Sequence, residues 1–157
     1  MEYGDRRRVN VRGIIYKDGK LFCQQLNDDL GKPHNFWSVP GGGLNAKEPL
    51  VNAVEREIME ETGVKAHVGK LLFVQSFSEG KVGRRGDEEQ LEFFFHIENP
   101  HDFENIDEQA SHFEAEVANY GFVDPKTANV LPMFLQTLDL NDYITNDKPV
   151  YIYTEFA

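Results

Sequence analysis

Three glutamates lie close together in a segment whose pattern is typical of a helix. At about 100° per residue, Glu57, Glu60 and Glu61 fall within roughly 100° of one another around a helix axis. The aliphatic side chains of Leu50 and Ile58 occupy the adjoining sector, so the acidic stripe borders the predicted buried face. Carboxylates at such a border can line a cleft, where they could hold a cation or accept a proton.

The spacing of these glutamates favours a bound cation over a solvated helix face. Glu57 and Glu61 stand four residues apart, and like charges at that spacing destabilise an isolated helix by a few tenths of a kcal/mol. No lysine in the helix offsets them, whereas a cation would turn the repulsion into attraction. Mg²⁺ prefers oxygen ligands and usually shares its sites among one or two carboxylates, waters and substrate phosphates. We therefore predict a Mg²⁺ site, with an ordinary solvated stripe as the alternative.

The flanking residues predict how this helix is positioned. Pro49 suits the first position of a helix and Gly63 suits its left-handed end, which predicts a helix from Pro49 to about Thr62. Three consecutive glycines open the loop before the helix. Because glycine has no side chain, the backbone of Gly41 and Gly43 can approach a metal ion or a diphosphate closely. We predict that both glycines contact the substrate.

Strand patterns on both sides of the helix predict the sheet that carries it. The stretches Val9 to Tyr16 and Lys20 to Gln25 have extended patterns around Asp18-Gly19, a strong tight-turn pair, and predict a β-hairpin. Lys70 to Phe77 and Leu91 to Ile97 predict two long strands. The Gly-rich charged connector between them is a candidate substrate loop.

The last third of the chain predicts one more strand, short helices and a strand-like tail. Glu114 to Val123 has a strand pattern. Asp124-Pro125 is typical of a cap and a first helical residue, and Thr127 to Leu140 has helical spacing that Pro132 interrupts. This pattern predicts two short helices or one kinked helix. Val150 to Phe156 alternates like a strand that could join a sheet edge or pair with a second copy in a homodimer.

Composition and charge limit the classes of protein to which the chain can belong. Its 157 residues fit one domain over residues 1–157, with a core at about 9–140 and a strand-like tail at 141–157. The net charge of -11 argues against binding to long nucleic acids. A small polyanionic substrate is compatible with this charge where a metal ion or a few basic side chains meet it.

The amino-terminal residues and the cysteine content predict the compartment. The segment Met1 to Arg12 is polar and has no apolar stretch long enough for a signal peptide or a membrane span. Cys23 is the single cysteine, so an intramolecular disulfide is excluded, and its apolar neighbours predict a buried side chain. We therefore expect a cytoplasmic protein without a membrane partner.

The glycine loop and the helix together resemble the Nudix box at each of its defined positions. The stretch Trp37 to Gly43 is also similar to the usual approach to that box. Nine specified positions over 23 residues make a chance match improbable. Along the chain these positions are Gly42, Glu48, Arg56, Glu57, Ile58, Glu60, Glu61, Gly63 and Val64.

The resemblance implies a fold and an activity. The implied fold is of the α/β (α+β) class, a single Nudix domain with a mixed β-sheet sandwiched between helices. The implied activity is Mg²⁺-dependent hydrolysis, with Mn²⁺ as a substitute, of the diphosphate linkage in a nucleoside diphosphate linked to another moiety. The chain departs from the usual pattern at Asn45 and Lys47, where relatives often have an acidic residue and a glycine, so the loop should differ in detail.

The same resemblance implies roles for residues of the box. Glu60 and Glu61 bind metal, and Glu57 binds metal or accepts the proton of the attacking water. The carbonyl of Gly42 is a further metal ligand, and Arg56 orients the glutamates. Glu57, Glu61 and Arg56 are therefore the catalytic candidates within the box.

Four residues outside the box are further candidates. Glu116 could serve as a general base, and the alternative is a solvent-facing strand glutamate. Arg84 and Arg85 lie on the charged connector and could contact phosphates, although such connectors are usually solvated. Trp37 could stack on a base, whereas most strand aromatics belong to the core.

The sequence leaves the substrate and two rival functions open. The region Phe77 to Val82 lacks the proline or tyrosine that marks several subfamilies, and we favour ADP-ribose or a nucleotide sugar over an oxidised nucleoside triphosphate. A catalytically silent Nudix-fold binding module is disfavoured because the chain keeps every box glutamate. An isomerase of isoprenoid diphosphates is disfavoured because that chemistry resembles cysteine-assisted protonation, and Cys23 stands outside the box.

Overall fold

The computed structural model describes residues 7–78, 89–106 and 117–155. Five strands precede the longest helix of these residues, and one 3-10 turn covers Pro100–Phe103. The strands and helices are β1 (Arg7–Ile14), β2 (Tyr16–Lys17), β3 (Lys20–Leu26), β4 (Trp37–Ser38), β5 (Gly41–Gly43), α1 (Leu50–Thr62), β6 (Val68–Ser78), β7 (Glu89–Ile97), β8 (Val117–Val123), β9 (Val130–Leu131), α2 (Phe134–Thr137), α3 (Leu140–Thr145) and β10 (Tyr151–Glu155).

The strands form two mixed sheets, which confirms the predicted α/β (α+β) class. The first sheet has the order β10-β6-β7-β1-β5, with β1 parallel to β7 and antiparallel to β5. In the second sheet, β3 pairs with β8, β2 and β4, and β9 runs parallel to β4. The predicted sheet is therefore divided in two, and the helix that carries the glutamates packs against β1 and β5 of the first sheet.

The predicted hairpin is right at its turn and wrong in its first strand. Asp18 (φ 51°) and Gly19 (φ 78°) both have positive φ, as a two-residue turn between twisted strands requires, and Tyr16 lies opposite Leu21. The strand β1, however, pairs with β7 over eight positions and not with β3. Ile14 belongs to one core cluster and Ile15 to the other, so the chain passes from the first sheet to the second between them.

The helix α1 ends and begins almost where the sequence predicts. Gly63 has φ 73°, and its N–H donates to the Met59 carbonyl at 2.8 Å, so it is the predicted left-handed end of the helix. Pro49 directly precedes the helix in an extended conformation and is its cap, not its first residue. Ala53 and Ile58 face the core and are fully buried.

Two hydrophobic clusters form the core, one on each side of the first sheet's central strands. One cluster packs α1 against the sheet, and the other packs the second sheet and the short carboxyl-terminal helices. Cys23 is fully buried in the second of these clusters, as predicted. Burial raises the pKa of its thiol to about 12.

The segment after β8 differs from the predicted helix. The N–H groups of Thr127 and Ala128 donate to the Asp124 carbonyl at 3.1 and 2.8 Å, so Asp124 begins a single turn. The chain then forms β9 because Pro132, which lacks an N–H, cannot continue a helix through this region. Two short helices do follow: α2 lies within the predicted stretch, after Pro132, whereas α3 begins only at its end.

The predicted tail strand forms and lies at the edge of the first sheet. β10 runs parallel to β6, with Tyr153 paired to Gln75 and Glu155 paired to Phe77. Of the candidate loop between β6 and β7, residues 79–88 lie outside the described residues. Among the described residues, no helix has the length and apolar character needed to cross a bilayer.

Replacing Gly13 by alanine should lower the free energy of unfolding by about 1–3 kcal/mol. The added Cβ would lie 2.6 Å from Ile58 Cδ1 and 3.0 Å from Ile97 Cγ1, in the close contact between α1 and the sheet. Gly43→Ala is the matched control, because a Cβ there meets nothing within 4 Å. Urea unfolding of the two variants measures the difference. Equal stability of the two variants would contradict this account of the packing.

Candidate active site

The candidate site lies where the glycine strand β5 meets the polar side of α1. Gly42 pairs with Val11 of β1, so the first sheet fixes the glycine backbone. The loop after β5 returns the chain to α1, and the three predicted glutamates of the helix then face that backbone. Their exposure differs: Glu61 is buried, Glu57 is largely buried, and the side chain of Glu60 is 44% exposed.

Arg56 joins the helix to the loop that precedes it. Its Nε and Nη2 donate to the two carboxylate oxygens of Glu48 at 2.8 and 2.9 Å, a bidentate pair. Its Nη1 donates to Glu57 Oε1 at 2.9 Å and lies 3.4 Å from Glu60 Oε2, and its Nη2 also donates to the Gly43 carbonyl at 3.0 Å. These hydrogen bonds raise the pKa of Arg56 and lower the pKa of Glu48.

Glu61 is the most buried carboxylate of the site. Its Oε2 accepts hydrogen bonds from Gln24 Nε2 and from the backbone N–H of Gly41, both at 3.1 Å. Burial raises the pKa of Glu61 to about 8, and the negative charge of Glu57 adds to this effect. Arg12 and the two hydrogen bonds oppose the shift without cancelling it. The folded chain therefore holds a carboxylate where a negative charge is costly.

Gln24 belongs to this site, and the sequence analysis missed it. Its side chain is buried, and Oε1 accepts no hydrogen bond from the described residues although solvent cannot reach it. A buried polar atom without a partner costs about 1–3 kcal/mol. Alternation along β3 places Gln24 on the same face as Phe22, which packs against the cluster around α1. A glutamine on the inward face of an apolar strand was the signal that could have found it.

The glycine backbone is shaped by close approaches that only glycine permits. Gly41 has φ 151°, and a Cβ there would lie 2.1 Å from the Val11 carbonyl oxygen. A Cβ on Gly42 would lie 2.5 Å from Glu57 Oε2, so the carboxylate of Glu57 rests directly over the Gly42 backbone. Lys47 has φ 61°, a conformation that favours glycine, and it is one of the positions where the chain departs from the usual box.

The carboxylates of the site fit a hard divalent cation. Three glutamates contact one guanidinium, that of Arg56, and the buried Glu61 adds a fourth carboxyl group, so acidic groups are in excess. Every available donor is an oxygen, which suits Mg²⁺ and not zinc. The orphaned Gln24 Oε1 and the buried Glu61 carboxylate are both groups that a cation would stabilise.

No three acidic, histidine or cysteine side chains of the described ranges converge on one point, because Arg56 holds Glu57 and Glu60 while Gln24 and Gly41 hold Glu61. The four carboxylates are those of Glu48, Glu57, Glu60 and Glu61.

A pocket of about 360 Å³ opens between the two sheets. Arg12 connects the pocket with the site: it lines the pocket, donates to the Val39 carbonyl at 3.2 Å and acts electrostatically on Glu61. The walls combine aromatic and aliphatic side chains with a few buried polar groups. The lining residues are Arg12, Phe36, Ser38, Gln75, Phe77, Glu92, Leu131, Pro132, Met133, Tyr153 and Glu155.

The candidates outside the box have different outcomes. Trp37 pairs with Val130 and packs against a core cluster, whereas its neighbour Phe36 lines the pocket. Arg84, Arg85 and Glu116 lie outside the described residues, and their predicted roles stay predictions.

This arrangement of two mixed sheets, a glycine strand and a carboxylate helix defines a class of protein, and comparison with known families identifies it. The model of the NUDIX domain family matches residues 6–140. The chain therefore belongs to the NUDIX domain family, as the box predicted.

The chain also resembles individual proteins, either over part of its length or at low sequence identity. The nucleoside triphosphatase NudI of Escherichia fergusonii is 35% identical over 66 residues, which are 42% of this chain and 47% of that protein. The chain thus matches about half the length of this curated relative.

Solved structures resemble the chain over most of its length. The match to the solution structure of the E. coli ORF135 protein covers 92% of this chain and 96% of that protein, with a TM-score of 0.66 and 19% identity. A MutT NUDIX hydrolase from Burkholderia pseudomallei matches 78% and 86%, with a TM-score of 0.62 and 22% identity. At these identities, the two structures show the fold.

Replacing Gln24 by methionine should weaken cation binding more than it weakens the fold. The change removes the orphaned Oε1 together with the hydrogen bond to Glu61, so we expect the free energy of unfolding to stay within about 1 kcal/mol of the original. The affinity for Mn²⁺ should fall about 10- to 100-fold, as is usual when a group that orients a metal ligand is lost.

Titration calorimetry with Mn²⁺ measures the affinity, and urea unfolding measures the stability. Gln25→Met is the matched control, since Gln25 is the next residue of β3 and its amide donates to the His34 carbonyl at 2.7 Å. If Gln24→Met binds Mn²⁺ as tightly as Gln25→Met, Gln24 has no part in the site.

Proposed function

We propose that the chain is a Mg²⁺-dependent hydrolase that cleaves the diphosphate linkage of a nucleoside diphosphate joined to another moiety. The observation that carries this proposal is the buried Glu61 carboxylate, held against the Gly41 N–H at the end of a chain of glutamates that Arg56 clamps. Ordinary helix glutamates have no reason to occupy a buried position beside a glycine backbone. A metal and diphosphate site gives that position a physical reason.

The residues that would hold the ion are Glu57, Glu60, Glu61 and the Gly42 carbonyl, with Mn²⁺ expected to substitute for Mg²⁺. When bound, the ion supplies positive charge that offsets the diphosphate oxygens and acidifies a water molecule. Arg56 keeps Glu57 and Glu60 from moving apart and fixes the loop through Glu48. The backbone of Gly41 and Gly43 leaves room for the diphosphate, because no side chain obstructs its approach.

Glu57 is the proposed proton acceptor. Its Oε1 accepts a hydrogen bond from Arg56 at 2.9 Å, whereas its Oε2 accepts none from the described residues and lies over Gly42. One oxygen is thus anchored while the other can accept a proton from the attacking water. Water attacks phosphorus, the bond to the leaving phosphate breaks, and the proton moves to the free carboxylate oxygen. Glu116 remains a second proposed base.

The nucleoside is proposed to occupy the pocket between the sheets. Phe36, Phe77 and Tyr153 offer aromatic surfaces to a base, and a volume of about 360 Å³ suits a single nucleoside. Arg12 stands between this pocket and Glu61, where its positive charge can face a phosphate. A base in the pocket and a diphosphate at α1 can therefore belong to one substrate.

Two classes of substrate are proposed. ADP-ribose or a nucleotide sugar is the class that the sequence favours. A nucleoside triphosphate is the second, and one observation supports it: a segment of the chain is 35% identical to the nucleoside triphosphatase NudI. The products differ between the two, since the first class releases a sugar phosphate and the second releases inorganic phosphate or pyrophosphate. A cytoplasmic location and a homodimer remain predictions.

Both rival functions have less support. A silent binding module would not need three carboxylates around one guanidinium, which costs stability without a cation. An isomerase that uses a cysteine would need a reactive thiol, but Cys23 is fully buried in the core and its pKa is raised to about 12.

Incubation with nucleotides should release mononucleotide only when Mg²⁺ or Mn²⁺ is present. The compounds are ADP-ribose, nucleotide sugars and nucleoside triphosphates, and chromatography of the products distinguishes the two classes. Excess chelator provides the control without metal. If every compound survives at all metal concentrations, the enzyme proposal fails in favour of the binding module.

Glu60→Gln and Glu61→Gln should each lower turnover by orders of magnitude while the fold survives. Both variants lose a proposed ligand charge, and glutamine keeps the volume of glutamate. Glu55→Gln is the matched control on the same helix, at an unspecified position of the box, and should retain turnover within about twofold. Steady-state kinetics and Mn²⁺ calorimetry measure the two effects, and circular dichroism checks the fold. Near-normal turnover in both box variants would remove Glu60 and Glu61 from the metal site.

A further inference from the structure

We propose that Gln75 and Glu92 select a nucleobase that carries an exocyclic amino group. This inference rests on the proposed function, because it places the base in the pocket between the sheets. It goes further in stating which chemical edge of the base the pocket accepts. The observations that carry it are the paired positions of polar side chains across the first sheet and the hydrogen bonds already made among them.

A row of polar side chains crosses four neighbouring strands at the floor of the pocket. Asn10 of β1 pairs with Glu92 of β7, Glu92 pairs with Gln75 of β6, and Gln75 pairs with Tyr153 of β10. Asn10, Glu92 and Gln75 are only 2%, 4% and 5% exposed. On the same face of the sheet, the next row of paired residues is apolar: Phe73 pairs with Phe94, and both are fully buried. The sheet therefore changes from an apolar core to a buried polar floor within one row.

Glu92 is the centre of this floor. Arg12 Nε donates to its Oε2 at 2.8 Å, Asn10 Nδ2 donates to the same oxygen at 3.3 Å, and Gln75 Nε2 donates to its Oε1 at 2.7 Å. An ionised carboxylate only accepts hydrogen bonds, so it must face the amide nitrogen of Gln75 and not the amide oxygen. The carboxylate thus fixes the orientation of the Gln75 amide.

The fixed amide presents a hydrogen-bond acceptor to the pocket. Gln75 lines the pocket, and its Oε1 accepts no hydrogen bond from the described residues. The hydroxyl of the neighbouring Tyr153 does not serve it, because that hydroxyl donates to Glu155 Oε2 at 3.0 Å. Glu92 Oε1 accepts one hydrogen bond and keeps a lone pair. Two acceptors, Gln75 Oε1 and Glu92 Oε1, are therefore adjacent at the floor.

Two adjacent acceptors fit a group with two N–H donors. The exocyclic amino groups of adenine and cytosine have this character, whereas the corresponding oxo groups of hypoxanthine and uracil carry lone pairs. An oxo group here would place acceptor against acceptor and leave buried polar atoms unpaired, which costs about 1–3 kcal/mol. A site built to hydrogen-bond one group of a substrate rejects an analogue that lacks it much more strongly than a purely apolar pocket does.

The test compares bases that differ only in this group. The compounds belong to whichever of the two proposed substrate classes the enzyme cleaves. The value of kcat/KM with Mg²⁺ is measured for cytidine against uridine compounds, and for adenosine against inosine compounds. We expect the amino compound to exceed its oxo partner by about tenfold or more in at least one pair, with the difference in KM. Equal values in both pairs, or a preference for the oxo compound, would overturn the inference.

Gln75→Met removes the acceptor while keeping a similar volume. We expect the preference to fall by about threefold or more, because the amino compound loses one of its two hydrogen bonds while the Glu92 acceptor remains. Gln25→Met, which changes a glutamine outside the pocket, should keep the original preference. An unchanged preference in Gln75→Met would overturn the role of Gln75. If this variant fails to fold, Gln75→Asn withdraws the acceptor and retains the amide.

A binding measurement separates this inference from the proposed function. Calorimetry gives the Kd of CMP, UMP, AMP and IMP without any turnover. A preference for the amino monophosphates that Gln75→Met lowers by about threefold or more would support the inference even if no linkage were cleaved, in which case the hydrolase proposal alone fails. Cleavage of both members of each pair at equal rates, with equal Kd values, would instead remove the inference and leave the hydrolase proposal standing.

Discussion

The guanidinium of Arg56 is the group on which the geometry of the candidate site depends. Its Nε and Nη2 donate to Glu48, its Nη1 donates to Glu57, and its Nη2 also donates to the Gly43 carbonyl. The guanidinium therefore joins the loop, the helix and the glycine strand. A planar guanidinium can satisfy these partners at once, whereas a lysine ammonium has neither the reach nor the fork geometry. Without this guanidinium, the carboxylates of Glu48, Glu57 and Glu60 would repel one another and lose the cation that pairs with all three.

The other buried polar groups depend on that arrangement in turn. Glu61 is buried with a raised pKa, Gln24 leaves an oxygen without a partner, and Glu92 lies in the floor of a pocket. Each of them opposes the usual preference for apolar side chains inside a protein. Such local conflicts are expected where a site serves function and not stability. Gln24 contacts Glu61 of α1, whereas Glu92 lines the pocket between the sheets, and the two core clusters consist of hydrophobic side chains.

The sequence predicted what depends on neighbours along the chain. The limits of α1 follow from Pro49 and Gly63, and the turn at Asp18 follows from its own backbone preference. The pairing of β1 with β7 could not be predicted in the same way, because it joins residues about eighty positions apart, as the hydrogen bond from Asn10 to Glu92 shows. Gln24, Gln75 and Glu92 were missed for that reason: their roles depend on partners in other strands or in α1, far along the chain. The pattern of a strand gives its alternation but not its neighbours.

The position of β10 has a consequence for how this chain could change. Tyr153 and Glu155 form part of the pocket wall, yet they follow residue 140, where the family match ends. The chemistry of the box and the shape of the pocket are thus supplied by separate parts of the chain. Selection can alter the carboxyl-terminal strand, and with it part of the pocket wall, without altering any residue of the box. This division would allow substrate range to diverge among close homologues while their glutamates stay the same.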